Sequence, residues 1–416
     1  MRLRLTAILL LLISIATQAQ EKVKHGFNSV PYPVIGWSDD LGIQYGLNYT
    51  LFNYGDGSMF PNYKYKIVAE VSRYTKGQTG VKMTFNSSYV IPGITVSAAV
   101  AYNFNPLYQF YGFNGTVTEF NPSIHRKNGS AYYDIDRKFI RAVANFQGNI
   151  CPGLRWAAGL NFLSYRISDV NPKYGYDPGH SLYHDYIADG TIREDEAGGG
   201  NVLEYNAGIV YDTRDATSVP TRGIWAEFYL TGAPDIFKTG YHYSRLSAHF
   251  RHYVSPWGDD RFTVAYHLGY QNILSGEAPF YVLQNITSLV INKTVYEGLG
   301  NRYTIRGTRS NRFVANGYAW GNLEMRIKLF HFILKNQAFY VSTNPFIDMG
   351  AIVNPFRLGA ERGTDLYKEA TRLHESAGLG LKLVMNRNFV VGVEAAKPFN
   401  PDDGHGRFII GTNYIF

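Results

Sequence analysis

The sequence predicts an all-β fold, a transmembrane antiparallel β-barrel of about sixteen strands. Three observations predict it. Apolar residues recur at every second position along much of the 416-residue chain, the connections between these segments differ in length with a regular alternation, and the chain opens on a secretory leader. Composition agrees, because Gly 42, Tyr 33 and Phe 26 against 18% charged residues suit one aromatic-rich β domain better than several soluble enzyme domains.

The leader comes first. Residues 1–4 are basic, 5–15 are predominantly apolar, and Ala16, Thr17, Gln18 and Ala19 supply the small or neutral residues of a cleavage site. Residues 1–19 are therefore expected to be a signal peptide, 20–29 a short periplasmic segment, and 30–416 an outer-membrane barrel. The apolar core falls short of the ~20 residues a membrane-spanning helix needs, and no cysteine follows it to take a lipid anchor. The mean hydropathy of the whole chain is −0.19 and no long apolar run follows the leader, so no further spanning helix is expected.

The strands follow in order. The first is expected at 30–37, the second at 43–53. At 62–73 Tyr65, Ile67, Ala69 and Val71 alternate with Lys64, Lys66 and Glu70; at 78–91 Val81, Met83 and Phe85 alternate with Lys82, Thr84 and Asn86. Then come 93–104, 138–150, 154–168 and 202–212. At 223–232 Ile224, Ala226, Phe228 and Leu230 carry the pattern, and at 242–254 Leu246, Ala248 and Phe250 do. The remaining segments are 262–274, 318–329, 339–352, 376–385, 389–398 and 407–416. A soluble sandwich has the same period, so the connections decide. Those after even-numbered strands are mostly compact, whereas 105–137, 169–201, 275–317 and 353–375, all after odd-numbered strands, are long. Tight periplasmic turns and long external loops give outer-membrane barrels this asymmetry, and an even count places both termini in the periplasm.

Other chemistry is hard to place. The lone Cys151 excludes a disulfide framework and a cysteine-held metal, and no cofactor is expected. The formal charge of +7, two of it on Arg2 and Arg4, forms no basic block, so nucleic acid is not an expected partner. Gly179-His180-Ser181-Leu182-Tyr183 lacks the second glycine of a serine elbow, and His374-Glu375-Ser376 lacks the second histidine of a zinc helix. No enzyme is expected. Glu194-Asp195-Glu196 reads as a solvated acidic loop, since its spacing matches no calcium cage.

Four motifs in the second half are more specific. Leu299-Gly300-Asn301-Arg302-Tyr303-Thr304-Ile305-Arg306-Gly307-Thr308 resembles the inward-folded sixth external loop of the BamA/TamA family of outer-membrane insertases and translocases. Asn322-Leu323-Glu324-Met325-Arg326 resembles that family's twelfth strand and Phe346-Ile347-Asp348-Met349-Gly350 its thirteenth. Tyr211-Asp212-Thr213-Arg214-Asp215 with Pro220-Thr221-Arg222-Gly223 is similar to the turn before its ninth. The aromatic ending Tyr414-Ile415-Phe416 resembles the terminal signal by which barrels reach their assembly machinery. The resemblance covers nearly all of the mature chain but only the barrel half of the family's architecture, because no periplasmic repeat fits within 20–29.

The resemblance implies roles for particular residues. Glu324 has the parity of Arg326 and Lys328 and so faces the lumen; Ile347 and Met349 take the lipid side, which turns Asp348 inward. Arg306 would bridge the two carboxylates, with Gly307 allowing close backbone approach at the loop tip. Thr308 stands where the family usually has an aromatic, which implies a looser tip. Apart from the resemblance, Arg302, Arg309 and Arg312 in the same loop read either as contacts for lipopolysaccharide phosphates or as a solvated, mildly basic loop. Closing the barrel requires strand 30–37 to meet strand 407–416, with Tyr414 and Phe416; Pro31 and Pro33 share a parity and each remove a donor, so a weak seam is expected if that side faces strand 407–416 and an ordinary closure if it faces strand 43–53.

Two functions follow from the resemblance. One is protein insertion or translocation through a lumen and lateral seam, with outer-membrane lipid, lipopolysaccharide and separate periplasmic or outer-membrane assembly subunits as partners. The alternative is a passive pore or structural barrel without insertase activity.

Overall fold

The computed structural model describes residues 23–416 apart from 39–40, 59, 61, 116–130, 175–178, 289–292, 296, 335–336, 359–370 and 388. The leader expected at 1–19 lies outside the described residues. Sixteen strands form one antiparallel sheet in chain order. They are β1 (Phe27–Ser38), β2 (Gly42–Asn53), β3 (Tyr65–Tyr74), β4 (Thr79–Ile91), β5 (Ile94–Gln109), β6 (Asp134–Cys151), β7 (Leu154–Ser168) and β8 (Asn201–Asp212), then β9 (Gly223–Ala233), β10 (His242–Val254), β11 (Phe262–Glu277), β12 (Gly317–Leu334), β13 (Gln337–Asn354), β14 (His374–Met385), β15 (Phe389–Pro398) and β16 (Arg407–Thr412). The sheet curls until β1 and β16 lie side by side.

Side chains explain the curl. Along β15 burial alternates without a break, with Val391 and Val393 exposed outward while Val390, Glu394 and Ala396 are buried. Across the barrel the exposed residues include Phe228, Leu230, Met325 and Leu381, and the buried ones include Arg251, Glu227, Glu324 and Lys382. This inverts the soluble pattern. Lipid takes the apolar face, and the polar face turns to a lumen where ions and amides find one another.

Each expected strand has its counterpart, and the differences lie at the ends. The first strand starts at Phe27, inside the segment expected to be periplasmic, because Phe27 pairs opposite Asn53. β5 and β6 run further than expected, to Gln109 and from Asp134, and are capped by an aromatic dome over the long-loop end. There Tyr186 stacks on Phe113 with ring centroids 5.5 Å apart, and Phe110 and Phe280 pack edge-on nearby. Short helices α1 (Leu182–Ala188), α2 (Glu194–Ala197) and α3 (Phe280–Leu283) contribute to it. They are too brief to leave a helical period in the sequence.

The last strand is shorter than expected. β16 stops at Thr412, Asn413 adopts a positive φ of 68°, and Tyr414 and Phe416 are buried. The terminal carbonyl oxygen of Phe416 accepts from Arg326 Nη2 at 2.8 Å, and the Tyr414 hydroxyl lies 2.8 Å from that of Ser342. The chain thus gives up ladder to reach polar partners within the lumen.

The turn between β8 and β9 shows why its sequence is so particular. Asp215 accepts from the Thr221 N–H at 2.8 Å, the Thr221 hydroxyl at 2.7 Å and the Arg222 N–H at 3.1 Å. Gly223 follows with φ of 101°, where a Cβ would sit 2.3 Å from the Thr213 carbonyl oxygen. Burial by itself would raise the Asp215 pKa, but these donors outweigh it and hold the carboxyl below its ordinary value. Asp215→Ala should therefore destabilise the turn by roughly 1 kcal/mol, read as a lower temperature for the heat-modifiable gel shift of the purified barrel. Because the folded pKa is depressed, the contribution is present above the ordinary value of 3.8 and is lost as pH falls through the folded one, so wild type and variant should converge in acid.

Candidate functional site

The long connection between β11 and β12 returns into the barrel. Leu299 and Phe313 exchange backbone hydrogen bonds of 3.0 and 3.1 Å, which close residues 299–313 into a loop of its own. Leu299, Ile305 and Phe313 pack against Tyr318, Trp320 and Ile352 of the wall. Apolar burial thus fixes the stem of the loop, and its tip can carry charge.

Arg306 sits at that tip, fully buried. Its Nε and Nη2 donate to the two oxygens of Asp348, each at 2.8 Å, and its own backbone N–H donates to the same carboxylate at 3.0 Å. Its Nη1 donates to Glu324 Oε1 at 2.7 Å and to Glu394 Oε1 at 3.2 Å. The guanidinium lies 3.4 Å from the centre of the Phe346 ring. Two further cations complete the group, with Arg326 Nε on Glu324 at 3.0 Å and Lys382 Nζ on Glu394 at 3.0 Å. Three positive side chains therefore meet three carboxylates, which is the balance a dry site requires.

The wall is shaped for this. Gly380 faces the lumen opposite Asn344 and Glu394, and a Cβ there would fall 2.1 Å from Asn344 Oδ1. At Gly392 a Cβ would fall 2.2 Å from Lys382 Cδ. Asn322, opposite Asp348 in the β12–β13 register, donates to Asp348 at 2.8 Å and to the Thr304 carbonyl at 2.6 Å. Gly307 has φ of 89°, and a Cβ would lie 2.8 Å from the Ala396 carbonyl carbon.

The structure thus brings Arg306, Gly307, Glu324 and Asp348 together. Sequence reasoning missed Glu394 and Lys382. Their signal was available: Glu394 is the one carboxylate in a strand whose opposite parity holds Val391 and Val393, and Lys382 lies between Leu381 and Leu383. Two expectations need correction. Thr308 is not loosely packed; it is fully buried, and its hydroxyl donates to the Ile305 carbonyl at 2.7 Å. Nor is Arg312 presented to lipopolysaccharide, since it is buried with its Nε donating to the Asp402 carbonyl, while the exposed Arg302 borders a cavity shared with Trp37 and Arg407.

At the seam, Pro31 and Pro33 lie opposite Tyr49 and Leu47 in the β1–β2 ladder. Among the described residues no ladder joins β1 to β16. Tyr414 and Phe416 do not line it, having turned inside against Arg326. Beside the seam lies a cavity of about 490 Å³, lined among others by Trp37, Arg302, Arg407 and Ile410.

The Omp85 superfamily domain matches residues 62–413. The chain belongs to the Omp85 superfamily. Among solved structures, this Omp85 barrel is similar to BamA from Haemophilus ducreyi lacking POTRA domains 1-3, with a TM-score of 0.60 at 15% identity over 94% of this chain and 70% of that one. It is also similar to CdiB from Escherichia coli, with a TM-score of 0.56 at 11% identity over 95% of this chain and 63% of that one. At such identities the likeness concerns the fold. No curated protein matches the chain.

Three variants test the buried cluster. Arg306→Ala leaves Glu324, Asp348 and Glu394 short of a cation and should cost about 3 kcal/mol, read as new protease cleavage within 299–313 and a lower heat-modification temperature. Arg306→Lys should rescue only part, because an ammonium cannot donate a fork to Asp348. Gly307→Ala must find room against Ala396 and should cost about 1–3 kcal/mol by the same two measurements. Wild-type behaviour of all three variants would show that the loop holds its place without them.

Proposed function

We propose that this outer-membrane Omp85 barrel assists the insertion or translocation of other proteins, with the seam between β1 and β16 as its lateral opening. The observation that carries the reading is the seam itself. Every other neighbouring pair of strands is joined by a backbone ladder, the shortest running over 391–396 of β15, whereas β1 and β16 share none among the described residues. Opening there breaks few hydrogen bonds, while opening elsewhere would strand a full row of donors and acceptors in lipid.

The neighbouring residues support it. Pro31 and Pro33 keep the edge of β1 poor in donors, and the inward turn of Tyr414 and Phe416 leaves β16 six residues long against twelve in β1. In this reading Arg306, Gly307, Glu324 and Asp348 clamp loop 299–313 as a stopper in the lumen, and the cavity beside the seam receives the client segment. A passive pore gains no support from an open lumen, since that loop and residues 414 and 416 are buried within it. The likeness to BamA and CdiB agrees with an assembly or translocation protein rather than an enzyme, and with separate assembly subunits as partners. The short turns and both termini are assigned to the periplasm, the long loops to the exterior.

Two experiments test the reading. Cysteine pairs scanned between Val34 and positions 408–412 should give at least one disulfide that abolishes complementation while the barrel remains heat-modifiable; full activity of the cross-linked protein would refute the seam. Epitope tags within 110–133 or 169–200 should be accessible on intact cells, and labelling only after permeabilisation would invert the topology.

A further inference from the structure

A second bare edge lies away from the seam. β12 pairs with β11 up to Ile327 opposite Phe262, and the Lys328 N–H still donates to the Arg261 carbonyl at 2.8 Å. Beyond that level β12 continues to Leu334, paired only with β13 on its other side, from Phe330 opposite Val341 to Leu334 opposite Gln337. Residues 329–334 thus overhang β11 by about 20 Å at the rise of an extended strand. Among the described residues their backbone has no partner on that side.

The side chains are as unusual as the edge. Five of the six are large and apolar, Leu329, Phe330, Phe332, Ile333 and Leu334, and all are exposed, Ile333 to 76%. Because successive residues point to opposite faces, both faces of the hairpin are apolar. A stack of Phe332 on Phe339, with centroids 5.2 Å apart, stiffens it.

Neither bulk water nor hydrocarbon alone suits this edge. Water leaves five apolar side chains bare on both faces. Hydrocarbon covers them but leaves a row of N–H and C=O groups unsatisfied, at several kcal/mol each. A strand laid along the edge satisfies the backbone and covers the side chains together. A second copy cannot be that strand. Two copies sharing a membrane are related by rotation about its normal, which sets like groups against each other at equal height, N–H facing N–H.

We propose that residues 329–334 form a strand-addition site for an extended, uncharged segment of another polypeptide at the short-turn end of the barrel. No charged residue lies within 329–334, so recognition rests on backbone hydrogen bonds and apolar contact. The site is independent of the seam.

The test uses the full mature chain in nanodiscs and, as probe, a synthetic peptide of about seven alternating Val and Thr residues, a typical strand length. Binding followed by fluorescence anisotropy should be unaffected by salt. Exchange of the edge-facing amides of 329–334 should slow about tenfold on binding, and a peptide N-methylated on one edge should bind about tenfold more weakly. Ile333→Lys should weaken binding while the barrel stays heat-modifiable. The proposal is overturned by absent binding, by equal binding of the methylated peptide, or by protection that appears at β1 instead. It is equally overturned by slow exchange of the edge-facing amides of 329–334 before peptide is added, by quenching of an Ile333→Trp fluorophore by brominated lipid, or by self-association through this edge.

Discussion

A backbone N–H in hydrocarbon has no water to fall back on, so a membrane strand must have a neighbour on each side. That constraint organises the molecule. It explains why the strands pair in chain order, since consecutive antiparallel neighbours need only a turn between them. It explains why the sheet must curl, because a flat sheet would keep two bare edges in lipid. It also gives meaning to the places where it is not met. The β1–β16 boundary lies within the wall and the free edge of β12 beyond the end of β11, and each is a site where another chain could supply what is missing.

The lumen obeys a parallel rule for charge. Arg251 is fully buried with Glu227 at 2.9 Å, Arg245 is buried with Glu204 at 2.8 Å, and the Arg306 group balances three cations against three carboxylates. Desolvating such ions costs several kcal/mol each, and the pairing mostly offsets that cost rather than adding stability. What the pairing gives is position. A guanidinium with its fork on Asp348, one arm shared by Glu324 and Glu394 and one face on Phe346 has a single place to be, and the apolar stem of loop 299–313 fixes the rest.

Much of this was legible in the sequence because the two-residue period of its strands was. Alternation along segments such as 62–73, 78–91 and 223–232 located strands, and the parity of Glu324 with Arg326, or of Asp348 against Ile347 and Met349, indicated which carboxylates face the lumen. The resemblance of residues 299–308 to a family loop then implied the role of Arg306. Glu394 and Lys382 were missed because parity says which side a residue takes and not which other strand it meets across the lumen; that depends on the curvature of the barrel and on where the loop tip ends. Strand ends were missed for a related reason. Phe339 and Phe332 extend their hairpin through contact with each other, and Gln109 and Asp134 continue their ladder beneath an aromatic dome built by distant segments.

The end of β16 shows how a lumenal interaction overrides local preference. Tyr414-Ile415-Phe416 has good strand propensity and would lengthen the ladder beside β1, at a gain on the order of 1 kcal/mol per net hydrogen bond. Turning inward gives up a few such bonds. In return the chain terminus accepts a charge-assisted bond from Arg326, the Tyr414 ring lies 4.1 Å beneath that guanidinium, and two aromatic rings leave the solvent. These terms are of similar size, so the position of the last four residues rests on Arg326. The same Arg326 holds Glu324, which holds Arg306. A chain of contacts therefore runs from the loop in the lumen to the strand that borders the seam, and the length of β16 is decided by charges inside the barrel as much as by hydrogen bonds in its wall.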